Sequence, residues 1–120
     1  MRSMVIPLAL LIGCQEPNPV FTNIVGITKD TLTMEGIDSI IVILRDIDPV
    51  DRVNWRLRKD TTENEGWFRF DSVCYGDENS VTYIIIGVDS SDNKKYQTRQ
   101  YNVTVSGPID TVPTIWLVRK

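Results

Sequence analysis

The chain is predicted to be all-β, an antiparallel β-sandwich of about seven strands after an N-terminal signal peptide. Three observations predict it. Beyond residue 19, apolar residues recur with period two or in short runs rich in valine and isoleucine. No stretch holds them at i, i+3, i+4 and i+7 over three turns, as an amphipathic helix requires. The runs are separated by clusters of Gly, Asn, Asp, Ser and Pro, the punctuation expected of strands in two packed sheets.

Taken in order, residues 15–19 (Gln-Glu-Pro-Asn-Pro) read as a short extended tether. Strands are predicted over Val20–Thr28, Ile40–Asp46, Trp55–Thr61, Trp67–Asp71, Val81–Asp89, Gln97–Val105 and Thr114–Val118. The intervening turns are Lys29–Gly36, Asp60–Gly66, Gly76–Ser80, Ser90–Lys94 and Ser106–Pro113. Phe68 and Phe70 alternate with Trp67 and Arg69, which puts both phenylalanines in the core. In the fifth strand, Val81, Tyr83 and Ile85 share one face, and Thr82, Ile84, Ile86 and Val88 the other. Two apolar faces predict a central strand covered on each side.

The N-terminus adds a second kind of information. Arg2 is its one charge, and an apolar run from Met4 to Ile12 follows, interrupted only by Pro7. A spanning helix needs about 20 apolar residues, so the run reads as the core of a secretory signal. Leu11-Ile12-Gly13-Cys14 resembles the lipobox of bacterial lipoproteins. The resemblance implies a diacylglyceryl group on the Cys14 sulfur, cleavage just before it, and acylation of the new amine by a fatty acid such as palmitate. One acyl chain binds a membrane marginally, whereas two or more anchor it stably. The expected organisation is a signal peptide over 1–13, a lipidated cysteine and tether over 14–19, and a β-sandwich domain over 20–120. The expected location is the cell envelope, on a bacterial membrane (the outer membrane favoured), with the domain periplasmic or surface-exposed.

Cleavage there leaves 107 residues with 12 basic and 16 acidic side chains, a net charge of −4. That length suits one domain with one core. The cluster Arg52, Arg56, Arg58 and Lys59 is broken by Asp51 and Asp60 and reads as a solvated strand face, so no nucleic-acid partner is expected. With Cys14 lipidated, Cys74 has no partner for a disulfide and reads as a small buried hydrophobe. There is no histidine. Its absence removes the commonest general base, the Ser-His and Cys-His pairs and the usual zinc sites.

The pattern Ile24-x-Gly26-x-Thr28-x-Asp30, then Gly36-Ile37-x-x-Ile40-x-Val42-x-Leu44, then Thr62-Glu63-x-x-Gly66-x-Phe68-x-Phe70 resembles the carboxypeptidase regulatory-like, or transthyretin-like, domains. These are prealbumin-type sandwiches common in exported bacterial proteins, and the resemblance covers nearly all of residues 20–118, so the sandwich is expected to be of one of two types, Ig-like or prealbumin-like. The transthyretin-related enzymes that hydrolyse hydroxyisourate depend on histidines, so that activity does not carry over.

Two constellations stand out as candidate sites. Asp46, Asp48 and Asp51 put three carboxylates in six residues, oxygen chemistry of the kind that holds calcium. The stretch lacks the glycine and the terminal glutamate of an EF-hand loop, and Pro49 interrupts it. Among Trp55, Trp67 and Trp116, Trp67 faces away from the two core phenylalanines and is the candidate for stacking on a ligand. No catalytic residue is assigned. The expectation is a non-enzymatic, membrane-anchored lipoprotein whose sandwich is an interaction or structural module for an envelope protein or polysaccharide. The alternative is a small carbohydrate- or calcium-binding lipoprotein.

Overall fold

The computed structural model describes residues 17–51 and 53–120; the expected signal peptide over 1–13, Cys14 and Arg52 lie outside the described residues. The strands are β1 (Pro19–Asp30), β2 (Ile41–Ile47), β3 (Trp55–Thr61), β4 (Trp67–Asp77), β5 (Ser80–Val81), β6 (Ile84–Val88), β7 (Arg99–Val103), β8 (Ile109–Thr111) and β9 (Ile115–Leu117). They form two sheets facing each other as a sandwich. One has the order β5-β4-β1-β8, with β9 also on β1; the other runs β3-β2-β6-β7. The apolar core between them includes Ile24, Val42, Leu44, Phe68, Phe70 and Ile86, all buried as their alternation requires.

On β1, Thr22, Ile24, Gly26, Thr28 and Asp30 face inward, while Asn23, Val25, Ile27 and Lys29 are half-buried on the other side. Gly26 lies directly opposite Phe68 on β4. A Cβ at Gly26 would stand 2.3 Å from the Phe68 ring and 2.7 Å from Val112 Cγ2, so the missing side chain is the space that ring fills. At the end of the β3–β4 turn, Gly66 has φ +95, and a Cβ there would meet the Thr28 carbonyl at 2.5 Å. Only glycine suits that position.

The structure departs from the expected strands in four places. First, the sandwich is not wholly antiparallel: β8 and β9 both pair with β1 in parallel, in line along the same edge. Second, β8 falls in the stretch expected to be a turn. It is three residues long, bracketed by Pro108 and Pro113, and carries no periodicity for a sequence to display. Third, the expected strand Val81–Asp89 is two. Val81 pairs with Gly76 in the first sheet, and the chain crosses at Thr82–Tyr83 to build β6 in the second. β6 is central as expected, with Ile84, Ile86, Gly87 and Val88 buried and Ile85 half-buried, but Val81 and Tyr83 are exposed.

Fourth, β4 extends well past Asp71 because of a bulge. Its register on β1 slips between the Thr22–Val73 and Ile24–Phe70 pairs. Ser72 there takes φ 54, and its N–H donates to Asn23 Oδ1 at 2.9 Å. The extra residue reverses the alternation. Phe68 and Phe70 face the core before it, and Val73 and Tyr75 pack against the core after it. Cys74 is fully buried and free, as expected of a small hydrophobe. The basic cluster is also corrected. Trp55, Leu57, Lys59 and Thr61 form the exposed side of β3, whereas Arg56 and Arg58 are half-buried on the opposite side.

Replacing Gly26 by alanine should overpack the Phe68–Val112 contact and destabilise the domain by about 1–3 kcal/mol. A urea titration with an unchanged m-value would measure it.

Candidate functional site

Asp46 ends the inward series Val42, Leu44, Asp46 on β2 and is fully buried. Arg56, its cross-strand partner on β3, donates Nε to Oδ1 at 3.0 Å and Nη2 to Oδ2. Arg58 Nη1 lies 3.6 Å from Oδ2, and the Cys74 N–H from β4 donates to the same oxygen at 2.9 Å. Both guanidinium groups reach across to the bulge, donating to the Ser72 carbonyl at 3.2 Å. Arg58 also donates to the Asp71 carbonyl and stands over the Phe70 ring, 5.8 Å from its centroid. The carboxylate and two arginines therefore stitch the second sheet to the first along the β3–β4 edge.

A second buried carboxylate closes the opposite end. Asp30 Oδ1 accepts the N–H groups of Leu32 at 2.7 Å and Thr33 at 3.2 Å. Its Oδ2 accepts the Tyr96 hydroxyl at 2.8 Å and Arg119 Nε at 2.9 Å. Burial by itself would push the Asp30 carboxyl up. The hydrogen bonds from Leu32, Tyr96, Arg119 and Thr33 outweigh it and hold the group well below the ordinary carboxylate range.

The three aspartates considered for calcium take different surroundings. Asp46 is held by the arginines just described. Asp48 Oδ1 accepts the Val50 and Asp51 N–H groups at 2.8 and 3.1 Å, which lowers its pKa. Asp51 accepts the Val53 N–H at 3.2 Å and the Asn54 side-chain amide. Among the described residues, no group of three His, Cys, Asp or Glu side chains is arranged to hold a metal ion. A shallow open depression on the β2–β3 edge is lined by Ile41, Lys59, Asp60, Thr61, Thr62 and Glu63.

The tryptophans differ as well. Trp67 is 46% exposed and pairs across the ladder with Ile27, on the outer face of the first sheet. Trp116 is half-buried beside Lys29 on the same sheet. Trp55 is 39% exposed on the outer side of β3, its ring 5.5 Å from that of Tyr83. Sequence reasoning named Trp55 but missed Tyr83, whose exposure follows from the sheet crossing beside it. No protein-family model matches the chain, and no curated protein is significantly similar to it.

Two outcomes are expected. Asp46→Ala should cost about 3 kcal/mol, the lower end for breaking a buried pair, because both arginines reach solvent. Chemical denaturation would read it. Stability should also fall as pH drops below about 4, where Asp30 in the unfolded chain takes up a proton that the folded carboxyl refuses. The loss continues as pH falls toward the folded pKa, and Asp30→Asn should flatten this acid limb in urea midpoints measured from pH 5 to 2.

Proposed function

We propose that the protein is a non-enzymatic lipoprotein, anchored to a bacterial membrane through Cys14, whose β-sandwich serves as an interaction or structural module in the cell envelope. The observation that carries this is one of spacing. β1 begins at Pro19, five residues after the lipobox cysteine, so the folded domain follows the anchor almost at once. Trp67 pairs with Ile27, eight residues further along β1, or about 26 Å from its start. An exposed aromatic on a flat sheet face at that distance is available to a protein or polysaccharide. The non-enzymatic character is supported by the use made of the conspicuous carboxylates: Asp30, Asp46 and Asp48 are each engaged in bonds that hold the fold.

Of the two sandwich types, strand allocation supports the prealbumin-type. The β2–β3 hairpin lies within one sheet and β1 pairs with β4. In an Ig constant domain the second and third strands lie in different sheets. A carbohydrate-binding role has the exposed Trp67, set against the half-buried Ile27, in its favour. Calcium binding has less support, since Asp46 already faces two arginines; a calcium titration without heat or a shift in melting temperature would remove it.

Cells fed labelled palmitate should mark the wild-type protein and leave Cys14→Ser blank. If the serine variant is processed and fractionates like the wild type, the anchor is wrong. Trp67→Ala should reduce capture of an envelope protein or of polysaccharide without lowering the melting temperature, and undiminished capture would exclude Trp67 from the interface.

A further inference from the structure

We propose that the end of the sandwich from which the tether leaves seats directly on the lipid surface, with Trp55 and Tyr83 at headgroup level. This rests on the lipid anchor proposed for Cys14. The topology collects four separate segments at that end. Pro19 opens β1 opposite Asp77, and Asn18 and Glu78 exchange hydrogen bonds, from the Glu78 N–H to the Asn18 carbonyl at 3.1 Å and from the Asn18 N–H to Glu78 Oε1 at 3.3 Å. The bond from the Cys74 N–H to Asp46 brings the Ile47–Trp55 end of the second sheet alongside. The crossing after Val81 delivers Tyr83 against Trp55.

Large apolar side chains are exposed at this end out of proportion. Of the eleven among the described residues, six belong here: Phe21, Val50, Val53, Trp55, Val81 and Tyr83. Val50 and Val53, at the loop tip, are 89% and 85% exposed. Aromatic rings with one polar edge settle at membrane interfaces, and small apolar groups beside them add buried area.

Reach selects the occupant. Five residues, fully extended, span at most about 18 Å from Cys14 to Pro19. A small protein domain is about 30 Å across, so none fits between this end and the bilayer. Charge selects the kind of lipid. The side chains of Asp48, Asp51, Asp77 and Glu78 share this end, each accepting a backbone N–H, and outnumber the one cation in the sequence of the 48–54 loop, Arg52. Their sign gives no attraction to anionic lipid, so contact is apolar and suits a zwitterionic surface.

The test uses the acylated protein purified from membranes and reconstituted into phosphatidylcholine vesicles, with and without bromine on the acyl chains near the headgroup. Mass spectrometry reads the lipid on Cys14 in the same sample. Bromolipid should quench tryptophan emission; the quenching should vanish in Trp55→Phe, persist in Trp67→Phe, weaken in Val53→Asp, and not grow when phosphatidylglycerol is added. Acylated protein that is not quenched, or is quenched equally in Trp55→Phe, overturns the docking and leaves the anchor standing. Quenching unchanged in Val53→Asp, or growing with phosphatidylglycerol, overturns the apolar contact. Protein without acyl mass overturns anchor and docking together.

Discussion

Apart from the short β4–β5 ladder, every pairing in the first sheet runs through β1, which holds β4 on one edge and β8 and β9 on the other. That single strand must satisfy two neighbours along its edges and the core on one face. Its inward series Ile24, Gly26, Thr28, Asp30 meets all these demands. Ile24 joins the core, and Gly26 leaves room for Phe68. The Thr28 hydroxyl donates to the Ile37 carbonyl at 2.9 Å, and Asp30 gathers four donors. Strain or truncation in β1 would thus be felt in each of its partners, whereas the outer strands of the second sheet, β3 and β7, form a ladder with one neighbour each.

Among the described residues the one cysteine is free, and the two sheets are joined without a covalent bridge. Polar ties supplement the dry core at its two ends. The Asp46 group ties β2, β3 and β4 near the start of β1, and the Asp30 group ties β1 to Tyr96 and Arg119 near its finish. Buried charge is costly, and each carboxylate is stable only because nearly all of its lone pairs are met. Their value is geometric as much as energetic: they fix which strand edges face each other.

Much of this was legible in the sequence where alternation was local. Trp55–Thr61 is a strand with the bounds expected, and Phe68 and Phe70 are core residues. The inward direction of Asp30 and Asp46 was also available, since each continues a series of buried neighbours two residues apart. The charge of Asp46, set beside Asp48 and Asp51, drew attention to calcium instead of to arginine. What could not be read depends on distant partners. The Ser72 bulge exists against Asn23, 49 residues earlier. β8 is a strand only because β1 offers it an edge, and Val81 and Ile84 look continuous until the sheets part them. Cys14 could be proposed from its flanks alone, but the apolar end around Trp55 and Tyr83 is assembled from segments no local pattern connects.

The parallel set of β8 and β9 against β1 has a mechanical meaning. The chain goes in near Pro19 and comes out past Leu117 at the opposite pole of the sandwich. If the amino end is held and the carboxyl end is pulled, β1 and β9 slide along each other instead of peeling apart. The ladder bonds then bear the load together, with the Arg119–Asp30 pair as a catch in series. Such a module resists tension along its strands, which suits the anchored role proposed for it.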